Sequence, residues 1–590
     1  METYRFSTIN IIMEVSASSG VLIPLLSDSI DDAARHNLRA AFLAGLSHGM
    51  NKRTMIIEFG TPSSSQPADF RDLVVTLNSE TDIFEKVKEF CGLALLATQE
   101  PQPKRRRSAS KLQALSLGAS AAENEFRLLE NYFVETSEYV RTLRGEVSVV
   151  SGRKGSGKTA IFFMVRDAIR SKKFTSVTDL KPESHQLSLF RQELLKLLDI
   201  GVFDHTLAAF WYFVFLTEML FTIQRENKYK LQHDPSALSS LSDIEDVLQE
   251  FGIINSGDFT ARINRLSKTI LFEISSAKTR NKPLSPESLT NIVFRGGINK
   301  IKQLIIKNTT PKTRIVLLFD NIDRGWPTQG VEEFDVRMIR LMVESLEKIR
   351  RDLHNADRDM FSVVFLRNDI YELLVEQTPD RGKVGQIRID WNDPVKLRTV
   401  ILKRLQASTA REGDAFSSLW LDYFAPTVGG VDSFEYCVSH CLMRPRFLLT
   451  IIENAIANAI NRSNTIASED DIADAVKQHS NYLISEFGFE IRDASGLSAD
   501  ILFELIGLPE IVSKEMVLER FSEGGIPRDK LEHAFQLMLW YGVIGFVKKD
   551  GDNKYIYDYD YSMKRLAAEM RHIAGEPQYS INPALMAAIK

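Results

Sequence analysis

Apolar positions along the chain fall into blocks with different periods. GVLIPLL (Gly20 to Leu26) and RTMIIEF (Arg53 to Phe59) read as buried strands, and HNLRAAFLAGLSHGM (His36 to Met50) between them carries a helical period. The apolar period then stops in TQEPQPKRRRSASKLQALSLGASAAE, where Pro, Ser and the basic run Lys104 to Arg107 predict a linker over 99–120. From Phe126 to about Trp391 an α/β pattern returns, with a mostly helical stretch over 187–307. Within that stretch LAAFWYFVFLTEMLFTI (Leu207 to Ile223) is slightly short for a membrane span and carries Glu218 near its middle, so a buried core helix is expected and no membrane partner.

After Trp391 helices dominate to about Phe487, with a start signalled at Ser468, whose hydroxyl can cap while Asp471 lies in the first turn. The last hundred residues read as helices over Ser498 to Gly507, Ser513 to Phe521 and Asp529 to Gly542, then two strands, VIGFVKK and KYIYDYDY, around an Asp550–Asn553 turn. Three helices and a hairpin predict a winged helix. The fold class is therefore α/β: an N-terminal Rossmann-like module (1–98), a linker (99–120), a core (121–395) with a helical insertion, a helical lid (396–487) and a winged helix (488–590).

Composition narrows the classes. With 590 residues, 44% hydrophobic and 26% charged, the chain is an ordinary multidomain globular protein rather than a rod or a disordered chain. Its net charge of −5 is the wrong sign for a surface given over to nucleic acid. Three cysteines make no disulfide framework, and the opening METYRFSTINIIMEV is too short and broken an apolar stretch for a signal peptide, so a cytoplasmic location is expected. Cys437, His440 and Cys441 lack the fourth ligand of a structural zinc site and read as core thiols and a helix-surface imidazole.

The chemistry is concentrated in GRKGSGKT, Gly152 to Thr159, which follows the apolar run Val147 to Val150 and precedes the helical pattern AIFFMVRDAIRS. Glycines are needed there because consecutive N–H groups must curl around an anion in conformations a Cβ blocks, with the next helix aimed at the same point. Gly152, Gly155 and Gly157 supply them, and Arg153, Lys154 and Ser156 fill the rest of the loop. Lys158 is expected on the β and γ phosphates and Thr159 on Mg²⁺, so ATP and Mg²⁺ are the expected cofactors. A metal-bound triphosphate also needs a carboxylate, which should end a second buried strand lying beside the first; Val316 to Phe319 followed by Asp320 fits, and Asp320 is assigned to the metal shell. Asp323 either orients the attacking water or caps a helix and pairs with Arg324.

On these residues, GRKGSGKTAIF and LLFDNIDRGW, the chain resembles AAA+ and STAND-type P-loop ATPases, and among them KAP-like prokaryotic ATPases often associated with antiviral defence. The resemblance implies a Mg-dependent ATPase that switches a defence or signalling assembly, as a homo-oligomer or with a partner protein. It also implies a sensor strand, FSVVFLRNDIYELL, with Arg367 or Asn368 reading the γ phosphate, and a lid arginine, Arg444 or Arg446, bridging lid and nucleotide. Many AAA+ enzymes place a second carboxylate directly after the metal-binding Asp. Asn321 stands there and cannot act as a base, which implies slow hydrolysis or reliance on Asp323.

Two other readings stay open: a nucleic-acid loader like the origin-recognition ATPases, and a slow assembly scaffold. Residues 486–590 carry 12 Lys and Arg against 17 Asp and Glu, which disfavours DNA reading by the winged helix, although Lys548, Lys549 and Lys554 lie on its wing. The N-terminal module is faintly similar to TIR or nucleoside deoxyribosyltransferase-like domains; if active, Asp28, His36 and Asn37 are its polar candidates, and otherwise they are a cap and surface groups.

Overall fold

The computed structural model describes residues 8–50, 52–60, 74–99, 111–125, 128–182, 200–253, 257, 259–279, 297–322, 333–377, 385–572 and 576–590. The chain divides into two compact units, Met1–Ser110 and Lys111–Lys590.

In the first unit three parallel strands, β1 (Gly20–Leu25), β2 (Arg53–Phe59) and β3 (Val74–Leu77), pair in the order β1-β2-β3. The helices are α1 (Thr8–Ala17), α2 (Ala33–Gly49) and α3 (Glu80–Gln99). Ala40 and Ala44 of α2 pack on Ile23, Leu25 and Ile56, so small residues on one helical face set the helix close to the sheet. Asn37 clamps the end of β1 to α2: its Oδ1 accepts from the Leu26 N–H at 2.9 Å and its Nδ2 donates to the Leu26 carbonyl at 2.8 Å. The His36 ring meets the Pro24 carbonyl at 2.8 Å. These two residues thus join a strand to a helix.

The second unit is built on a five-stranded parallel sheet of order β5-β6-β7-β4-β8, where β4 is Val149–Gly152, β5 Thr175–Leu180, β6 Arg314–Phe319, β7 Asp359–Arg367 and β8 Gln386–Ile389. β6, expected beside β4, is separated from it by β7. Helices cover both faces, as buried parallel strands require. On one side α4 (Lys158–Arg170) places Ile161, Phe162 and Val165 against Val150, Val316 and Phe365. On the other lie α5 (Ile200–Leu231), α6 (Ala237–Glu250), α7 (Phe259–Thr279), α8 (Gly297–Asn308) and α9 (Glu333–His354).

The aromatic segment Leu207 to Ile223 lies inside α5, a helix of 32 residues. Asp204–Leu231 is long and apolar enough to cross a membrane, but 89% of its most apolar stretch is buried within the fold. Trp211 stacks on Phe215, and both rings meet Phe319 at the end of β6. Glu218 is paired: both its oxygens accept from Arg262 of α7, at 2.7 and 2.6 Å, while burial pushes its carboxyl upward.

The helical region that follows consists of α10 (Pro394–Thr409), α11 (Phe416–Leu421), α12 (Ser433–Ser439), α13 (Pro445–Asn461) and α14 (Glu469–Ser495), with a two-strand turn, β9 (Thr427–Val428) with β10 (Val431–Asp432), that interrupts the expected all-helical run. Ser468 and Asp471 form a reciprocal capping box at the start of α14. Part of the expected linker belongs here instead, since Leu112 and Leu117 are buried in this helical core.

The C-terminal residues form α15 (Lys514–Glu523), α16 (Leu531–Tyr541), α17 (Met563–Arg571) and α18 (Pro583–Ile589) beside a sheet of order β11-β14-β12-β13, with β11 Ile511–Val512, β12 Ile544–Val547, β13 Asn553–Lys554 and β14 Tyr579–Ile581. The expected second hairpin strand shrinks to two residues. The alternation in YIYDYDY is overruled by Asp558, whose carboxylate accepts from the Tyr555 N–H at 2.8 Å and starts a 3-10 turn, Ile556–Tyr559. The expected first helix is a 3-10 turn, Ile501–Leu505.

Candidate functional site

The loop between β4 and α4 is shaped by its glycines. Gly155 and Gly157 have φ of 80° and 94°, in the region side-chain-bearing residues avoid. Gly152 serves a different need: a Cβ there would lie 2.4 Å from Ser156 Oγ. The Lys158 ammonium folds back onto the loop, donating to the carbonyls of Gly152 at 2.8 Å and Arg153 at 3.0 Å. Ser156 is 4% exposed, and its hydroxyl has no hydrogen-bond partner. An orphaned hydroxyl, two left-handed glycines and the N-terminus of a 13-residue helix make a cradle that fits a phosphate.

Thr159 Oγ1 donates to Asp320 Oδ2 at 3.0 Å, although the two residues are 161 apart in sequence. Asp320 follows β6 and is 1% exposed. Because β7 intervenes, β4 and β6 are about two strand spacings apart, roughly 10 Å; the first turn of α4 carries Thr159 across that gap. A hydroxyl and a carboxylate oxygen are the donors that suit Mg²⁺. Asn321 comes next at φ 61°, a backbone that Asn tolerates better than most residues. Asp323 lies outside the described residues.

Above the loop is a cavity of about 730 Å³, the size of small-molecule sites. Its polar lining includes Lys154 to Thr159, Asn321, Arg367 and Arg446. Its apolar wall comes from Leu129, Tyr132 and Phe133 ahead of β4, from Trp391, and from Val400 and Leu449 of the helical region. Trp391 Nε1 donates to the Ser156 carbonyl at 2.8 Å and ties that wall to the loop. Arg404 also lines the cavity and forms a buried pair with Glu125 at 3.1 Å, with its guanidinium 4.4 Å from the centre of the Tyr132 ring. None of the residues before β4 was singled out from sequence; the aromatic segment FRLLENYFV just ahead of the loop strand was the available signal.

The structure sorts the expected arginines. Arg446 faces the cavity, its Cβ within 3.1 Å of where a Gly155 Cβ would sit. Arg444 does not line it. That side chain is 1% exposed, donates to Glu490 at 3.1 Å and to the Lys154 carbonyl at 3.2 Å, and lies over the rings of Phe447 and Phe487. The reason is the helix start: Arg444 is the N-cap of α13 and Arg446 lies inside its first turn, so the two point different ways. At the end of β7, Arg367 lines the cavity while bonding Asp369 at 2.5 and 3.1 Å. Asn368 is 3% exposed behind it, in a small void with Arg153 and Arg444, and its amide has no hydrogen-bond partner.

Arg153 stays in the loop by its backbone alone. Its side chain leaves the cavity and is 8% exposed against the C-terminal residues, where it donates to the carbonyls of Trp540 and of Tyr541, the latter at 3.5 Å. Lys154 stays at the cavity edge, paired with Glu486 of α14. Cys437 and Cys441 are buried free thiols, and burial pushes the Cys441 thiol up to about 12. Among the described residues no cluster of three or more His, Cys, Asp or Glu side chains suits a metal.

Fold and loop together define a mixed α/β protein with a P-loop. Residues 395–488, from α10 into α14, match the family model of the FunZ-associated C-terminal helical domain. Over 369 residues the chain is 26% identical to the putative transposon gamma-delta 80.3 kDa protein of Escherichia coli (strain K12), a match covering 61% of this chain and 49% of that protein. The chain thus spans about half the length of the curated relative it matches. Similar solved structures include the Aeropyrum pernix ORC2 protein (10% identity, 83% of this chain and 92% of that one, TM-score 0.31) and the Aeropyrum pernix ORC1 protein in complex with DNA (11%, 78% and 96%, TM-score 0.29). The Thermotoga maritima RuvB Holliday junction branch migration motor is also similar (14%, 53% and 95%, TM-score 0.23).

Proposed function

We propose that the chain is an AAA+-like switch protein that binds Mg-ATP in the cavity above Gly155 and hydrolyses it slowly. The observation that carries this is the hydrogen bond from Thr159 to Asp320, which brings the two oxygen ligands of a metal-bound triphosphate together at the mouth of a glycine cradle. One strand between the loop strand and the Asp-bearing strand is in keeping with an AAA+ core.

Lys158 leaves its own loop carbonyls to neutralise phosphate oxygens, and Arg446 on α13 approaches the same phosphates from the helical region. Magnesium, when bound, supplies charge neutralisation at those oxygens, and Thr159 and Asp320 would hold it. Asp323 positions the attacking water, since Asn321 offers no base. Residues 488–590 act as a winged helix that packs on the P-loop unit, and helices α10–α14 act as the lid whose angle reports the nucleotide. The working unit is a homo-oligomer or a complex with a partner protein. No described residue supports the defence role implied by the resemblance. The E. coli relative's name ties that protein to a transposon, and this favours, as a second reading, an ATPase acting on nucleic acid.

Calorimetry of the full chain with ATP, ADP and Mg²⁺, together with size measurement in each state with and without DNA, tests these readings. ATP uptake with a size change indifferent to DNA supports the switch. A size change or turnover that requires DNA, and falls steeply with salt, moves the function to the second reading. Absence of ATP uptake removes both. Asp323→Ala should lower turnover with ATP affinity kept; equal turnover would remove the water-positioning role.

A further inference from the structure

Of the four positions of the phosphate loop that the motif leaves unspecified, the first two, Arg153 and Lys154, are basic, and each is used at two ends. Arg153 is the more constrained. α16 ends at Gly542, in the left-handed conformation. The N–H groups of Gly542 and Val543 turn back to the carbonyls of Leu539 and Met538, which leaves those of Trp540 and Tyr541. These are the two carbonyls that the Arg153 guanidinium takes, so a side chain from the phosphate loop caps the negative end of a helix about 390 residues away in sequence. The Tyr561 ring closes the other face, 3.8 Å from the guanidinium carbon.

The backbone of the same residue faces the phosphate site. The Arg153 carbonyl accepts from Lys158 Nζ at 3.0 Å and from the Ser156 N–H at 3.1 Å. A phosphate that draws Lys158 away removes one of those donors at the residue whose side chain holds α16. The guanidinium is also sensitive to charge at the loop. It is buried near a second guanidinium, Arg444, and Glu490 is the carboxylate that Arg444 already uses. A polyanion arriving one residue away alters the balance under which this buried cation is held.

We propose that Arg153 is a positioning residue that couples the state of the phosphate loop to the docking of the C-terminal residues 531–561, so that nucleotide occupancy and docking change together. The coupling rests on the reading of the loop as an ATP site; the cap on α16 does not. Lys154 works in parallel, with its carbonyl bonded to Arg444 and its ammonium to Glu486. By linkage, the factor by which bound nucleotide shifts the docking of α16 equals the factor by which docked α16 shifts nucleotide affinity.

Hydrogen exchange at the Gly542 and Val543 amides, measured on the full chain without nucleotide and at saturating Mg-ATP, tests the proposal, with calorimetry as the independent record of uptake. In the unaltered protein, ATP should change exchange at these two amides by at least about threefold. In Arg153→Ala their exchange without nucleotide should rise about tenfold, within what a cation at a partly buried helix C-terminus contributes, and the response to ATP should vanish. Arg153→Lys, which keeps the charge but not the fork, should retain a reduced response. If Arg153→Ala does not fold, the response of the unaltered protein and its reduction in Arg153→Lys carry the test. A full response in Arg153→Ala, or none in the unaltered protein while calorimetry shows ATP bound, overturns the coupling. A helix cap with no further role would show the faster exchange without any nucleotide response in the unaltered protein. Failure of the unaltered protein to take up ATP overturns the ATP-site reading and the coupling together, while faster exchange in Arg153→Ala would still identify the cap.

Discussion

Gly155 and Arg446 meet closely: a Cβ on Gly155 would lie 3.1 Å from Arg446 Cβ, and the glycine's φ of 80° already disfavours any side chain. Gly155→Ala therefore both strains the loop, by about 1–2 kcal/mol, and pushes α13 away from the phosphate cradle. ATP affinity should fall at least roughly tenfold, with Lys158 and Thr159 intact, since 1.4 kcal/mol is a factor of ten. Isothermal calorimetry checks this, and an affinity equal to that of the unaltered protein would mean that Arg446 does not need its place over the loop.

Thr159 and Asp320 make a second test. Asp320→Asn keeps the shape and a hydrogen-bond acceptor for Thr159, but removes the charge that favours a divalent cation. Turnover should fall by roughly 100-fold, the scale of losing one preorganised electrostatic contact. ATP binding without Mg²⁺ should hold or tighten, because Asp320 contributes nothing attractive to the bare phosphates and its charge repels them. The pair of calorimetric titrations with and without Mg²⁺ separates these effects. An Asp320→Asn chain that keeps the Mg²⁺ dependence of the unaltered protein would remove Asp320 from the metal site.

The same two residues show what a sequence can disclose. GRKGSGKT is a local motif, and the apolar run before Asp320 reads as a buried strand because Val316 to Phe319 have no polar interruption. Among the core strands that no apolar run marks, β5 mixes polar and apolar residues at its buried positions. β5, TSVTDL, hides Ser176 and Thr178, and Thr178 satisfies itself on Thr222 of α5 at 3.0 Å, a partner no periodicity reveals. β14 is three residues long and borrows its place from β11 and β12. Which of Arg444 and Arg446 enters the cavity depends on one residue of helix phase around Pro445. The Glu125–Arg404 pair joins positions 279 apart and leaves no local trace. The motif marks the loop backbone as the ligand and says nothing of where the Arg153 side chain goes.

Two groups in the helical region, one half-buried and one buried, titrate in opposite senses. Burial of Glu453 on α13 lifts its carboxyl from 4.5 to about 7, with Arg404 opposing and Glu125 adding to the rise. Between those two values the folded chain keeps a proton that the unfolded chain releases, so the contribution of Glu453 falls as pH rises from about 4.5 to 7 and is unfavourable above. His479 on α14 is 1% exposed, with neither ring nitrogen hydrogen-bonded, and burial pushes it down from 6.5 to about 3. Between about 3 and 6.5 the unfolded chain binds a proton that the folded chain refuses, so this contribution is lost as pH falls below 6.5. Glu453→Gln should therefore raise Tm at about pH 8 and leave it nearly unchanged at about pH 4.5. His479→Phe, which keeps a ring against Phe447, should do the reverse, raising Tm by at least roughly 2 °C at about pH 5, since 1 kcal/mol shifts Tm by about that much in a unit of this size. Thermal melts of both variants across pH 4.5 to 8 check the signs. Parallel curves for a variant and the unaltered protein would show that the substituted group does not change its proton on unfolding.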